Sequence, residues 1–219
     1  MICTSDKSFL PGRLSSFLTG FVLAGGSSRR MGRPKAMLLI EGETMLERQI
    51  RLLRSVARRV VVVGGSLEYS TKFDVPVAPD VVSGRGPLAG INTALLQTRT
   101  EFNLVLGCDL PFVNRRLLGF LAAHAIAGGS DVTVPRSREG RVEPLCAVYR
   151  RRALHAIRTS LAAGQNKLSN FFPKVRCVFI PWSDLARAGF QPSVFDNMNT
   201  PEDYDYARRR LEGSTATFT

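Results

Sequence analysis

Histidine is nearly missing from this chain. Of 219 residues only two are histidine, His124 and His155, and both fall in helical patterns where packing or solvent contact accounts for them. A histidine general base and a histidine-rich metal site are thereby poorly served. Cysteine is sparse too: Cys3, Cys108, Cys146 and Cys177 form no C-x-x-C pair and no Cys/His cluster with zinc spacing. No apolar run approaches the roughly 20 residues that a membrane-spanning helix needs. Acidic residues are outnumbered 18 to 30 by lysine and arginine, which leaves a net charge of +12. That balance favours anionic partners. Zinc-finger, helix-turn-helix and aromatic-plus-basic RNA-reading patterns are all lacking, so the charge points to phosphorylated small molecules ahead of nucleic acid.

The first residues, MICTSDKSFLPGRLSSFLTG, have no continuous apolar segment and no clean cleavage site. They read as a flexible extension over residues 1–17 and not as a signal peptide. Residues 214–219 read as a short flexible tail. Cys108, Cys146 and Cys177 lie in apolar, strand-like runs, where buried free thiols are expected. That usage suits a reducing cytoplasm.

Between the two ends, strand-like runs alternate with helical patterns. The runs are Phe21–Ala24, Val60–Gly64, Val75–Ala78, Asn103–Cys108, Val132–Pro135, Leu145–Tyr149 and Val175–Ile180. The helix candidates are Met45–Ala57, Pro87–Gln97, Leu117–Ala127, Ala153–Ala163 and Pro201–Leu211. Alternation of this kind predicts one α/β domain over residues 18–213, Rossmann-like, with helices on both faces of a mostly parallel sheet. The last helix has a clear start: Thr200 as cap, Pro201 at the first position and acids in the first turn. Ligands of such sheets bind beyond the carboxyl ends of the strands, so the residues that follow each strand carry most information.

The first strand runs into LAGGSSRRMGRPKAMLL, residues 23–39. Gly25 and Gly26 permit close backbone approach to a ligand, and backbone N–H groups with Arg30 and Lys35 can cradle phosphates. The stretch is not a Walker loop, because Gly32 is followed by Arg33 and Lys35 by Ala36. Nor does it contain G-x-G-x-x-G. A tight turn with exposed basic residues would explain the glycines alone. Asp109 directly follows an apolar strand, where a lone carboxylate suits a magnesium ion or, equally, caps the turn before Pro111.

These residues resemble the signature of the MobA family of nucleotidyltransferases, the molybdenum cofactor guanylyltransferases. The family's signature, roughly L-A-G-G-x-S-x-R-M-G-x-x-K-x-L, is matched by Leu23, Ala24, Gly25, Gly26, Ser28, Arg30, Met31, Gly32 and Lys35, with Leu38 one position beyond its last leucine. The stretch PDVVSGRGPLAGI, with Asp80, Gly86, Pro87 and Leu88, is similar to a second family segment. CDLPF around Asp109, EPLCAVYRR after Arg141 and NMNTPEDY, with Asn197 and Asn199, resemble three more. The likeness covers Gly20 to Leu211.

The resemblance implies transfer of GMP from GTP to the phosphate of molybdenum-molybdopterin, with Mg²⁺ as cofactor. It assigns Arg30 and Lys35 to the triphosphate and Asp109 to the metal. Leu23, Ala24, Gly25, Gly26, Asp80, Gly86, Pro87 and Leu88 fall to the nucleotide, and Asn197 and Asn199 to the acceptor or the metal. Gly26 points to guanine, since cytidylyl relatives more often read L-A-A-G. Cofactor-biosynthesis proteins and recipient molybdoenzymes are the implied protein partners. Two other readings stay open: a same-fold enzyme using CTP on this cofactor or acting on a sugar phosphate, and a non-catalytic basic module that binds nucleic acid.

Overall fold

The computed structural model describes residues 16–25, 34–80 and 86–215. Gly26 and Arg30 lie outside the described residues, as do nearly all of the two expected flexible ends.

Strand β1, Leu18–Leu23, is buried along its whole length. A lone 3-10 turn at Lys35–Met37 leads into a small hairpin of β2, Leu39–Ile40, and β3, Glu43–Thr44. Then follow α1, Met45–Arg54; β4, Arg59–Val63; α2, Tyr69–Phe73; β5, Val77–Ala78; and α3, Pro87–Gln97. Strand β6, Phe102–Gly107, precedes α4, Arg115–Gly128, and β7, Val132–Pro135. Strand β8, Cys146–Arg150, is followed by α5, Leu154–Ala162; α6, Leu168–Phe171; β9, Cys177–Ile180; α7, Trp182–Arg187; and α8, Pro201–Thr215. All seven expected sheet strands are present. They form one sheet in the order β5-β4-β1-β6-β8-β7-β9, and only the two pairings made by β8 are antiparallel.

The continuous apolar runs are explained by helices on both faces of the sheet. Alternate residues of one strand enter different cores. Leu18 and Val22 of β1, with Val60 and Val62 of β4, pack under α1, α4 and α7 through Leu46, Leu53, Leu117, Leu121 and Leu185. Phe21 and Leu23, with Val61 and Val63, pack under α3, α5 and α6 through Leu88, Ile91, Ile157 and Phe171. Burying one such side chain stabilises the fold by roughly 1.5–3 kcal/mol. Helix α1 owes its start to a capping box the apolar pattern did not reveal. The Glu47 amide donates to the Thr44 hydroxyl, and the Thr44 amide donates to the Glu47 carboxylate.

Two expectations need correction, and several short elements were not foreseen. Cys177 is only half-buried, because β9 is an edge strand with one neighbour. The run Val75–Ala78 narrows to Val77–Ala78 as ladder, although the Pro76 carbonyl still accepts from the Val62 amide. Proline at 76 lacks the N–H that a longer ladder would use. The hairpin at 39–44 and the short helices α2, α6 and α7 escaped the periodicity, being too short for a repeat to register.

Candidate active site

The parallel register sets the height of the site. Leu23 of β1 is level with Val63 of β4 and Gly107 of β6. Residues just beyond these three points therefore emerge on one edge, at the carboxyl ends of the central strands. They are Ala24 and Gly25, Gly64, and Cys108 and Asp109.

On the β1–β4 side two backbones meet. Gly64 takes φ +74°, and a Cβ there would lie 3.0 Å from both the Cα and the amide nitrogen of Gly25. Side chains are excluded from this floor, and the Ala24 amide is pinned to the Val63 carbonyl at 2.9 Å. Farther out, Gly86 at φ +71° opens α3, with Pro87 at its first helical position. Leu23 and Leu88 are core residues, 8% and 0% exposed, so only their backbones are available to a ligand. Asp80, just beyond β5, accepts from the Thr93 hydroxyl of α3 at 3.3 Å. It stands three strand spacings from the end of β6, roughly 14 Å, and so does not join Asp109.

The centre of the edge is built by distant parts of the chain. Lys35 Nζ donates to Asn199 Oδ1 at 2.6 Å and lies 3.8 Å from Asp109 Oδ2. The Asn199 side-chain amide donates in turn to Asn197 Oδ1 at 2.8 Å. Four residues assigned by resemblance thus converge.

Their supports are specific. The Met198 amide donates to the Asp109 carbonyl at 2.9 Å, which fixes segment 196–199 against the loop after β6. Met198 is buried with Leu38, Ile40, Met45 and Ala207, and the Tyr204 hydroxyl donates to the Leu39 carbonyl. This small core seats α8 on the hairpin that follows Lys35. The Asp203 carboxylate accepts from the Asn199 and Thr200 amides, both at 2.9 Å, while the Asp203 amide donates to the Thr200 hydroxyl. The expected Thr200 cap is thereby met, and the backbone hydrogen bond from Asn199 holds the Asp203 carboxyl below its ordinary pKa. From α1, Gln49 donates to the Leu110 carbonyl at 2.9 Å and Arg48 to that of Pro111 at 3.1 Å. Gln49 was hidden in the sequence because it sits in an amphipathic helix as one polar residue among many.

Asp109 and Lys35 are both partly exposed, as chemistry on a diffusing substrate requires. The neighbouring Cys108 is buried, and desolvation pushes its thiol up. A thiol in that state is not a nucleophile. His124 and His155 are exposed on α4 and α5, as the sequence led us to expect. The basic cluster Arg150–Arg152 lies away from the site, whereas Arg210 of the last helix stacks on Phe112 in the loop after Asp109, 5.5 Å from the ring centroid. A cavity of about 500 Å³ lined by Arg99, Thr100, Glu101, Arg151 and Arg152 sits at the amino end of β6, the far edge of the sheet from Asp109. No described helix is long and apolar enough to cross a membrane.

Comparison with known proteins agrees with this fold. The sequence pattern of the MobA-like NTP transferase domain matches residues 20–177. A probable molybdenum cofactor guanylyltransferase of Pelotomaculum thermopropionicum is 37% identical over 90% of this chain and 94% of that protein. A molybdenum cofactor guanylyltransferase of Desulfosudis oleivorans is 33% identical over 89% of this chain and 96% of that protein. In three dimensions, the crystal structure of molybdopterin-guanine dinucleotide biosynthesis protein A from Archaeoglobus fulgidus superposes with a TM-score of 0.79 at 25% identity, covering 89% of this chain and 99% of that one. Signature loop, strand order and the convergence of Lys35, Asp109 and Asn199 meet in one conclusion: the chain belongs to the MobA-like NTP transferase family.

Proposed function

We propose that this nucleotidyltransferase transfers GMP from GTP to the phosphate of molybdenum-molybdopterin and releases pyrophosphate. The observation that carries the reading is the junction of Lys35, Asp109 and Asn199, in a chain whose relatives are named for that reaction.

An acceptor phosphate oxygen attacks the α-phosphorus of GTP; the new P–O bond forms as the bond to the β-phosphate oxygen breaks. A phosphate monoester is largely dianionic at neutral pH, its second pKa being about 6, so no general base is needed. That agrees with a site that offers neither histidine nor a reactive thiol. Catalysis reduces to alignment and to stabilising charge on the leaving pyrophosphate. We assign Lys35 and Arg30 to that charge. We assign the backbone of Leu23, Ala24, Gly25 and Gly26 to the base and phosphates of the nucleotide. Gly86 and Leu88 bring backbone N–H groups at the start of α3 to the nucleotide, Pro87 sets its first turn, and Asp80 braces that helix.

Among the described residues no group of three or more His, Cys, Asp or Glu could by itself hold a metal. The oxygens of Asp109, Asn197 and Asn199 nevertheless fit Mg²⁺, which takes one or two carboxylates and completes its shell with substrate phosphates and water. Asp109 would be its carboxylate ligand. Bound there, Mg²⁺ would neutralise charge on the triphosphate. Asn197 and Asn199 also border the acceptor. Free buried thiols at Cys108 and Cys146 and a GTP donor support placement in the cytoplasm.

Thermal shift with GTP, CTP or ATP plus Mg²⁺ tests donor choice, since a ligand of the native state raises its stability. GTP alone is expected to give a large shift. Equal shifts from CTP would overturn the guanine assignment. Pyrophosphate release from GTP, with and without molybdenum-loaded molybdopterin, tests the reaction.

A further inference from the structure

Glu143 lies in the strap that joins β7 to β8, on the side of Asp109 opposite the glycine floor. The sheet order places β6 between β1 and β8. The nucleotide side is built over β1 and β4, so what stands before β8 faces the acceptor. The strap is level with the site. The Gly107 amide donates to the Leu145 carbonyl at 2.8 Å. Asp109 Oδ1 and the Leu145 Cβ lie 2.7 and 3.3 Å from the point where a Cβ on Gly107 would stand.

The Glu143 backbone is fixed at both ends. Its amide donates to the Pro135 carbonyl, and its carbonyl accepts from the Cys146 amide, each at 3.0 Å. Its carboxyl is half-buried, feels the charges of Arg141, Asp109 and Glu139, and is engaged in no hydrogen bond or ion pair with the described residues. Desolvation pushes it up to about 7. A half-buried carboxyl without a donor costs stability unless a ligand supplies one. Glu139 and Arg141 of the same strap also act on the carboxyl of Asp196, so the strap lies on the side of the site where the 196–199 segment carries Asn197 and Asn199.

We infer that Glu143 binds the pterin of the acceptor, its two carboxylate oxygens accepting from the paired 2-amino and N3–H donors of the ring. This rests on the functional reading above and adds the residue that recognises the end of the acceptor remote from the reacting phosphate. A carboxylate suits that edge because two parallel N–H groups match its two oxygens, as a guanidinium does. Phosphate is a poor partner for the ionised carboxylate, since both are then anions.

The contact is made to the ring and not to the phosphate that reacts, so its loss weakens acceptor binding more than it slows the chemical step. In pyrophosphate-release assays with molybdenum-loaded molybdopterin, Glu143→Gln is expected to raise the KM for the acceptor at least ten-fold. Its kcat should stay within three-fold of wild type and its GTP affinity within two-fold. Glu143→Asp, which keeps the two acceptor oxygens, should recover part of the KM loss. An acceptor KM within two-fold of wild type in Glu143→Gln would overturn the assignment, as would a parallel loss of GTP affinity. Wild-type protein that is shifted by GTP yet releases no pyrophosphate with this acceptor would overturn the functional reading and this inference together.

Discussion

Lys35 donates a 2.6 Å hydrogen bond to Asn199, a residue 164 positions further along the chain. One end of the domain thus closes on the other at the site. The lysine follows the signature loop, and the asparagine leads into the last helix. They meet because Leu38 and Ile40 share a small core with Met198 and Ala207.

Replacing Lys35 tests what this meeting is for. Its pairing with Asp109 is partly exposed, at 3.8 Å, and such pairs contribute about 1 kcal/mol or less. Lys35→Ala should therefore fold with a stability close to wild type. Its kcat/KM for GTP should fall by about 10²-fold, as when one donor to developing negative charge is removed. Denaturant titration and steady-state kinetics on the same preparation separate the two effects. A kcat/KM equal to wild type would remove Lys35 from the triphosphate.

Asp109→Asn keeps shape and hydrogen-bonding size while it deletes the charge. The Met198 amide donates to the backbone carbonyl of residue 109 and not to its side chain, so segment 196–199 should stay docked. Turnover is expected to fall by about 10³-fold or more, since a hard cation is held poorly without its carboxylate. Circular dichroism should be unchanged. A normal rate at saturating Mg²⁺ would cancel the assignment of Asp109 to the metal.

What could be read in advance divides along physical lines. The seven sheet strands and five longer helices announced themselves through period and through Gly, Pro and Thr at their ends. Asp109, Lys35 and Asn199 stood in segments resembling a family signature, so their types were legible. Their mutual contact was not, because it depends on Met198 and Tyr204 docking α8 onto a hairpin two residues wide. Gln49 and Arg48 hold the loop after Asp109 by side-chain bonds to carbonyls, and nothing in a sequence marks which polar helix residue will do so. Glu143 was likewise plain in type and hidden in place: only the sheet order shows that the strand it precedes lies beside β6. Leu23 and Leu88 are the converse case: both stand at the carboxyl edge of the sheet as their segments suggested, but their side chains are turned into the core.

Gly64 offers a test of the nucleotide floor away from the charged residues. Alanine there must hold a positive φ and place its Cβ 3.0 Å from two backbone atoms of Gly25. Strain of this kind costs about 1–3 kcal/mol, and Gly25 must move to relieve it. Gly64→Ala should lose stability in that range and lose most of the thermal shift given by GTP, while keeping its secondary structure. A shift equal to wild type would show that the floor does not touch the nucleotide.

Glu143 makes a pH-dependent contribution whose sign is fixed by its environment. Burial raises its carboxyl from the ordinary 4.5 to about 7, with Asp109 and Glu139 adding to the rise and Arg141 opposing it. The folded state therefore holds the proton more tightly than the unfolded chain. The stability this confers is complete below about 4.5, falls as pH rises through 7, and is lost above it. A shift of this size corresponds to about 3 kcal/mol for a sequestered group, and solvent around the half-exposed carboxyl reduces it to about 1 kcal/mol. Glutamine mimics the protonated acid. In buffer with a chelator, Glu143→Gln should match wild type in urea titrations near pH 4.5 and exceed it by about 1 kcal/mol at pH 8. Adding Asp109→Asn should shrink the difference without abolishing it, because desolvation is the larger cause. A variant less stable than wild type at pH 8 would mean that the ionised carboxylate is paired within the fold and is not held ready for a ligand.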